Sequence, residues 1–412
     1  MRVLIIAAGS YGDVAPYTGL GFRLKAAGFD VALAAPEQYA GLVDRAGLEF
    51  RGIPVDWRTT PSPTSTDAAR PAGGRGLWGR AAAFMRELGH GMAGVTAPGA
   101  DALLLSTTAA PLGWHLAEAL SVPAVGVYLQ PVAPTASFPP VVGAGRSLGP
   151  WGNRAAGHLA QHVLDRMHAD AARELRASLG LRPMAQGAVR RRMEGGDWPV
   201  LHGFSTAVLP RPADWRAGLD VVGNWWPHCP DDAGLPADLA DFLDAGPPPV
   251  CIGFGSMAAG EGERLGEIAV RALREAGLRG VLQAGSAGLA GTGDDVLTIG
   301  EVPHHLLFPR TAAVVHHAGA GTTAAALRAG VPSVPVPVTA DQAFWAGRVA
   351  ALGAATEPLP YKDLSAPGLG RALREAVQDG RHRMRAASIA TQMAAEDGAG
   401  DVVRKVGQLL CP

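Results

Sequence analysis

Cysteine and lysine are scarce in this 412-residue chain. It has 3 Cys, and only three of its 36 basic residues are Lys. The cysteines are Cys229, Cys251 and Cys411, with no CxxC pair among them. Their odd number and wide spacing predict free thiols in a reducing compartment and exclude a disulfide framework or a structural zinc site.

The chain also lacks a charge surplus and a long apolar run. Lys plus Arg is 36 and Asp plus Glu is 37, for a net charge of -1, which argues against nucleic acid as the main partner. The longest uncharged stretch, 119–145, contains five prolines, so no integral membrane segment is expected there. The first apolar run, 3–8, is too short for a secretory signal. We therefore expect a soluble, cytoplasmic protein.

Short apolar runs alternate with helical patterns in the first half of the chain. RVLIIAA at 2–8 and DVALAA at 30–35 predict buried parallel strands, with a helix at 16–27 between them. Further strands are predicted at 48–53, 103–106 and 124–129. This alternation indicates βαβ units and a parallel sheet.

The alternation restarts after a segment rich in Pro and Asp. Strands are predicted at 249–253, 281–282, 296–299, 312–316 and 331–338, followed by helical patterns from 364 to 410. The predicted fold class is α/β, with two Rossmann-like, doubly wound parallel-sheet domains facing a cleft. The predicted parts are an N-terminal domain at 1–222, a linker at 223–248, a C-terminal domain at 249–385, and terminal helices at 386–412 that pack back on the first domain.

The most specific segment is VPHHLLFPRTAAVVHHAGAGTTAAALRAGVPSVPVPVTADQ, at 302–342. A buried strand leads His316 and His317 into a glycine-rich turn, and a helix follows. Gly319 and Gly321 let backbone N–H groups approach a ligand, and the helix start favours an anion such as phosphate. Adjacent strand residues face opposite sides, so only one of the two histidines is expected to reach a ligand. The residues alone fit equally well a helix entry with a capping threonine and a buried histidine.

This segment resembles the donor-binding signature of family-1 glycosyltransferases in HHAGAGTT, in VPHHLLFP upstream and in VPVTADQ downstream. The N-terminal GSYGDVAPYTGLGFRLKAAGFDVALAAP is similar to the bacterial branch that glycosylates sterols, polyketides and glycopeptide antibiotics. The resemblance covers nearly the whole chain. It implies the GT-B fold and an inverting transfer from a dTDP- or UDP-linked sugar to a hydroxyl, or an activated aromatic carbon, of a small hydrophobic natural product. No cofactor and no metal are expected, and the chain is expected to be a monomer or homodimer.

The resemblance also implies the donor-binding residues, most of them on the C-terminal signature. They are Gly319, Gly321, Thr322 and His317 at the diphosphate, Ser256 at phosphate or ribose, Gln283 and Val302 at the base, and Asp341 and Gln342 at the sugar hydroxyls. Two features depart from many relatives. No Trp stands near Gln283 to stack on the base, and Val338-Thr339 replaces Pro-Gln before the acidic pair.

Asp13 is the predicted catalytic residue. It lies in the turn between the first predicted strand and helix, where members of this branch carry the general base that a hydroxyl nucleophile requires. From the residues alone, Asp13 also fits an N-cap, which accepts helix N–H groups. The two roles do not exclude each other. Ser10 is expected to help place the acceptor.

Two segments rich in Pro and Gly, 59–76 and 130–152, interrupt the N-terminal half. Loops of this length are either functional or mobile surface connections, and the residues leave both readings open. Because the N-terminal domain is implied to bind the acceptor, we expect these segments to form its site without being ordered on their own. Phe138, Val141 and Trp151 are its expected walls.

Three other functions remain at this point, one of them a nucleotide-sugar epimerase on the same fold, which would release free product without any acceptor. An NAD-dependent oxidoreductase also has Rossmann-like domains, but neither GSYGD nor GFGSMA is the GxGxxG that binds dinucleotides. An inactive GT-B helper protein is the third, and the presence of both Asp13 and His317 argues against it.

Overall fold

The described part of the chain forms two compact α/β units. This computed structural model describes residues 1–55, 74–96, 99–142, 146–255, 260–285, 288–339 and 341–410. One unit takes the described residues of Met1–Thr206, Pro210–Pro230 and Glu396–Pro412, and the other takes those of Ala207–Leu209 and Asp231–Ala395. The segment predicted as a linker, 223–248, is divided between the two units. No helix in the described ranges is long and apolar enough to cross a membrane.

The first unit is built on a parallel sheet, in which the described residues supply seven strands. They are β1 (Arg2–Ile6), β2 (Asp30–Pro36), β3 (Glu49–Ile53), β4 (Ala102–Leu105), β5 (Ala124–Tyr128), β6 (Val200–His202) and β7 (Leu219–Val221). Their order across the sheet is β3-β2-β1-β4-β5-β6-β7. β4 and β5 are buried at every residue. A parallel sheet covered on both faces requires this, and it explains the unbroken apolar runs.

The helices of the first unit include one that returns from the far end of the chain. They are α1 (Tyr11–Ala26), α2 (Ala40–Arg45), α3 (Gly74–Thr96), α4 (Ala110–Leu120), α5 (Gly149–Ser178), α6 (Gln186–Gly195) and α14 (Gly398–Leu410). Val402 and Val406 of α14 lie in the same buried cluster as Val3 and Ile5 of β1. The last helix therefore completes the core of the first unit.

The second unit repeats the architecture with a smaller parallel sheet of five strands among its described residues. The strands are β8 (Val250–Gly253), β9 (Gly280–Gln283), β10 (Val296–Ile299), β11 (Ala313–His316) and β12 (Ser333–Pro335), in the order β10-β9-β8-β11-β12. The helices are α7 (Ala237–Asp244), α8 (Gly262–Ala276), α9 (His304–Leu307), α10 (Ala320–Arg328), α11 (Gln342–Ala351), α12 (Ala366–Gln378) and α13 (Gly380–Ala394). Val250 and Ile252 of β8 enter one buried cluster and Cys251 enters the other, as strand alternation requires.

Each predicted strand has a counterpart in the structure, although the strand predicted at 331–338 spans only β12, and strands β6 and β7 were not predicted. Three boundaries next to helices were predicted wrongly. α1 begins at Tyr11, not at Pro16, because Ser10 and Asp13 form a capping box ahead of it. α5 begins at Gly149, so the end of the predicted loop 130–152, including Trp151, is helical. α3 likewise begins at Gly74, inside the predicted loop 59–76. The start of α5 was predicted as loop because Gly149 and Pro150 are typical of loops. Proline is nevertheless well accommodated in the first turn of a helix.

Both sheets have a topological switch point, where the chain leaves a strand to one side and later returns on the other. In the first unit it lies between β1 and β4, and in the second between β8 and β11. Open parallel sheets bind ligands outside the carboxyl ends of the strands at this point. Asp13 follows β1 and His317 follows β11, so each predicted key residue stands at the switch point of its own unit.

Candidate active site

The turn after β1 holds Asp13 in a fixed orientation. Ser10 is the N-cap of α1, and its backbone N–H and its hydroxyl both donate to Oδ2 of Asp13, at 2.9 and 2.8 Å. Gly9 has a φ of 148°, and a Cβ there would lie 2.6 Å from Asp13 Oδ2. Only glycine therefore lets the carboxylate fold back over the turn.

The second oxygen of this carboxylate is less engaged. Asp13 Oδ1 accepts one long hydrogen bond, from Nε2 of Gln130 at 3.4 Å. Burial raises the pKa of the half-buried Asp13 carboxyl above its ordinary value, although the hydrogen bonds from Ser10 and Gln130 act in the opposite direction. Asp13 is the third residue of the helix rather than the N-cap. Its capping bond uses Oδ2 and leaves Oδ1 available to accept a proton.

The three residues predicted to line the acceptor site are not equivalent in the structure. Phe138 and Val141 are buried, and the ring of Phe138 meets that of Trp215 edge to face at 6.4 Å. Trp151 is 90% exposed in the first turn of α5. Their role as acceptor walls stays a prediction. Residues 59–73 of the first predicted segment and 143–145 of the second lie outside the described residues.

The described part of the second segment is held in place by side chains, contrary to the expectation that it could not order itself. Asp214 accepts hydrogen bonds from Thr135 Oγ1 at 2.6 Å and from the N–H of Ala136 at 2.8 Å. Asn153 of α5 donates to Ala136 O and accepts from the N–H of Leu148. Polar contacts from Asp214 and Asn153 thus add to the burial of Phe138 and Val141 in fixing this segment.

The turn after β11 leaves the start of a helix uncapped by side chains. Ala318 is fully buried with a φ of 60°, a left-handed conformation that costs a residue with a Cβ on the order of 1 kcal/mol. Gly319 is the N-cap of α10 and offers no side chain to the helix. The helix ladder starts with the bond from Thr323 N–H to Gly319 O at 2.9 Å. The N–H groups ahead of it, at 320–322, therefore face outward with the positive end of the helix dipole.

The ring of His317 is clamped beside this helix start. A Cβ at Gly319 would lie 2.4 Å from its Nε2, and one at Gly255, after β8, would lie 2.8 Å from its Cε1. Its Nδ1 is buried and has no hydrogen-bond partner among the described residues. Burial, with a contribution from nearby His304, lowers the pKa of His317 to about 4. The turn therefore presents a neutral imidazole whose Nδ1 is not engaged by the described residues.

His316 is buried beneath this turn and binds its backbone instead of facing a ligand. It is 1% exposed, and its Nδ1 accepts the N–H of Ala318 at 3.0 Å. Burial lowers its pKa to about 3. The expectation that only one of the paired histidines can reach a ligand agrees with this arrangement, in which His316 holds the left-handed residue and His317 is half-buried at the surface.

The other predicted donor residues of the second unit lie at the same sheet edge. Gln283 ends β9, and Thr322 lies in the first turn of α10. Gln342 is buried, and its Oε1 accepts the N–H groups of Val338 and Thr339 at 2.8 and 3.0 Å. It therefore shapes the loop after β12.

Two further predicted residues also make contacts within the unit. Oδ2 of Asp341 accepts from Nε1 of Trp345 at 3.0 Å. Val302 is 7% exposed and belongs to a buried cluster, so its side chain packs within the unit. Ser256 lies outside the described residues. The roles of all these residues toward a nucleotide sugar stay predictions.

Reasoning from the sequence missed three residues that the structure adds to these sites. Gln130 donates a hydrogen bond to Asp13, and Thr107 donates one to Gln130. Gly255 lies against the ring of His317. Each is two residues beyond the end of a strand, which is the signal that could have found them. Thr107 and Gln130 belong to no motif, and Gly255 was noted only as part of GFGSMA, so that signal does not single them out.

The fold and the two switch-point sites define a GT-B protein. The family model described as "Erythromycin biosynthesis protein CIII-like, C-terminal domain" matches residues 282–409. The chain is 36% identical over 407 residues, 97% of its length and 95% of the relative's, to O-mycaminosyltylonolide 6-deoxyallosyltransferase of Streptomyces fradiae. It is 31% identical to sterol 3-beta-glucosyltransferase UGT80A2 of Arabidopsis thaliana, over 98% of this chain and 65% of that one. The chain belongs to this family of glycosyltransferases.

Solved structures agree on the fold. The glycosyltransferase VinC, solved in complex with dTDP, superposes with a TM-score of 0.70 at 20% identity, covering 100% of this chain and 99% of that one. The expected GT-B fold is confirmed, and so is the expected enzyme class, a nucleotide-sugar-dependent glycosyltransferase. The alternative of an NAD-dependent oxidoreductase gains no support.

Proposed function

We propose that this chain transfers a sugar from a dTDP- or UDP-linked donor to a hydroxyl of a small apolar acceptor, with inversion at the anomeric carbon. The observation that supports the proposal most is the contrast between the two switch points. One presents a carboxylate whose pKa is raised, and the other presents helix N–H groups beside a neutral histidine. The first suits a proton acceptor and the second suits a diphosphate.

In the proposed reaction Asp13 is the general base. The acceptor oxygen attacks the anomeric carbon while its proton passes to Oδ1 of Asp13. The bond between that carbon and the phosphate oxygen breaks, and the electron pair leaves with the nucleoside diphosphate. A base with a raised pKa is better matched to this step near neutral pH than an ordinary carboxylate. Attack from the face opposite the leaving group inverts the configuration.

The charge that develops on the leaving diphosphate is met by α10 and His317. The outward N–H groups of the first turn donate to phosphate oxygens, and a nitrogen of His317 donates as a neutral imidazole. Because these groups are fixed by the backbone, they need no reorganisation during the reaction. We propose that no metal takes part in the transfer.

The acceptor is proposed to be a hydrophobic natural product. The named activities of the relatives from S. fradiae and A. thaliana concern O-mycaminosyltylonolide and a sterol. Their identities of 36% and 31% support the class of acceptor rather than a particular compound.

A thermal-shift panel of UDP- and dTDP-sugars, with and without EDTA, tests the proposal. A donor at about 100 times its Kd should stabilise the protein by roughly 2.7 kcal/mol. Turnover of that donor with a polyphenol, steroid and macrolide panel should persist in EDTA. Turnover that EDTA abolishes and magnesium restores would overturn the metal-free step.

A further inference from the structure

Two polar residues that belong to neither helix nor strand form a hydrogen-bonded chain that ends at Asp13. Gln130 lies two residues after the end of β5, and Thr107 two residues after the end of β4. β1, β4 and β5 are consecutive in the sheet, so the three residues meet at one edge. Thr107 Oγ1 donates to Oε1 of Gln130 at 3.0 Å, and Gln130 Nε2 donates to Oδ1 of Asp13 at 3.4 Å.

The hydroxyl of Thr107 fixes which way the amide of Gln130 points. With Oε1 accepting from Thr107, Nε2 must face the carboxylate. The opposite orientation would set the amide oxygen against the Asp13 carboxylate and leave the threonine hydroxyl facing an NH₂ group, so the network favours one arrangement. Both Thr107 and Gln130 are half-buried, which shields the pair from competing water.

A neutral amide is suited to support an anionic base. A second carboxylate at this position would repel Asp13, and a cation would lower its pKa and weaken it as a base. An amide N–H instead orients the oxygen that the Ser10 contacts leave free, at a smaller electrostatic cost. The 3.4 Å distance also leaves room for this oxygen to take up a proton, since catalytic hydrogen bonds are often long without substrate.

From this geometry we propose that Gln130, oriented by Thr107, is a positioning residue for Asp13 in sugar transfer. The inference rests on the proposed role of Asp13 as general base. Gln130 aims Oδ1 at the acceptor hydroxyl and keeps the carboxylate ionised. The competing role is purely structural, in which Gln130 only anchors the start of the loop that runs from 130 to 142.

The test combines kinetics with a direct titration of Asp13. Gln130→Leu and Thr107→Val remove the two donors, and Thr107→Ser restores the hydroxyl. Transfer from dTDP-glucose or UDP-glucose to 4-methylumbelliferone is followed against pH. The Asp13 carboxyl is followed by ¹³C NMR, with its signal assigned by its loss in Asp13→Asn. Gln161→Leu is the matched control, a half-buried glutamine of the same unit whose hydrogen bonds go to Arg190 and Glu194.

Gln130→Leu should lower kcat roughly tenfold with little change in the acceptor KM. It should also raise the Asp13 pKa, moving the acid limb of the profile up by about half a unit or more. Thr107→Val should show part of both effects, Thr107→Ser should reverse them, and Gln161→Leu should show neither. The NMR titration decides the result if the probe acceptor turns over too slowly.

The inference is overturned if Gln130→Leu leaves the Asp13 titration and the acid limb where they are, even if kcat falls. That result would mean a structural role only. A different result, near-normal turnover in Asp13→Asn, would overturn the proposed base itself, so the two failures can be told apart.

Discussion

The two switch points share one backbone arrangement but differ in the side chain that lies at the start of the helix. In both units a parallel strand runs into a tight turn and then a helix, with glycine at the turn. After β1 the chain's own carboxylate, Asp13, lies against the start of the helix and is held by Ser10. After β11 the N-cap is Gly319, and the side chain beside the helix start is a neutral histidine. The turn after β1 supplies its own carboxylate and is suited to accept a proton. The turn after β11 has no anionic side chain and is suited to bind the anionic diphosphate.

Among substitutions that remove the difference between the two turns, the largest loss of turnover is expected at Asp13. Asp13→Asn keeps an oxygen for the Ser10 contacts but removes the base, so turnover should fall by about 10² to 10⁴. Steady-state kinetics with a fixed donor measure the loss. Asp44→Asn, an exposed carboxylate on α2, is the control and should turn over normally. Near-normal turnover in Asp13→Asn would remove this residue from the mechanism.

The next effect is at the paired histidines. His317→Ala removes a donor to the diphosphate, and a hydrogen bond to a charged group contributes about 1.5–3 kcal/mol, so dTDP should bind roughly 10- to 100-fold more weakly. His316→Ala instead leaves the buried Ala318 N–H unpaired and should lower the free energy of unfolding by about 1–3 kcal/mol, with a smaller loss of affinity. Equal losses of affinity in the two variants would contradict the division of roles between them.

A matched pair of glycine variants sharpens the comparison. Gly9→Ala places a methyl group 2.6 Å from Asp13 Oδ2, and Gly319→Ala places one 2.4 Å from His317 Nε2. Gly9→Ala should displace the Asp13 carboxylate, lowering kcat on the order of tenfold while leaving nucleotide affinity unchanged. Gly319→Ala should displace the His317 ring and weaken nucleotide binding on the order of tenfold. Circular dichroism melts check that both variants fold. If both variants lost the same parameter, the two turns would not be functionally distinct.

The smallest effect is an opposite response of the two sites to pH. Turnover should fall as the pH is lowered from neutral, and at a higher pH than an ordinary carboxyl would require, because burial raises the pKa of Asp13. Binding of dTDP-glucose should instead strengthen a few-fold as the pH is lowered. The phosphates raise the pKa of His317 from about 4 and draw a proton onto it. Calorimetry and kinetics at matched pH values measure the two trends, and parallel trends would contradict the assignment.

Much of the fold followed from local patterns, and the location of both key residues followed with it. Strands β1 and β11 are continuous apolar runs ending in glycine-rich turns, so Asp13 and His317 were expected at a ligand-binding edge. The contacts that set their chemistry join residues distant in sequence. Gly255 lies against His317, and Gln130 contacts Asp13 across 117 positions. No local pattern contains such pairs, because they arise only when the strands pack side by side.

The described part of the predicted loop at 130–152 shows the same limit of inference from local sequence. Its composition predicted a loop without order of its own, since proline and glycine provide little apolar surface to bury. Asp214, 78 positions beyond Ala136, accepts hydrogen bonds from the loop and holds it. The ring of Phe138 packs on Trp215, the next residue along. A loop can therefore be fixed by partners that its own sequence does not reveal.

The most direct test of the contrast between the two turns is one calorimetric titration of dTDP-glucose, with UDP-glucose in parallel, into three proteins. The proteins are the wild type, Asp13→Asn and His317→Ala. We predict that Asp13→Asn binds the preferred donor within about twofold of the wild type, while His317→Ala binds it at least about tenfold more weakly. Weaker binding in Asp13→Asn together with unchanged binding in His317→Ala would contradict the account.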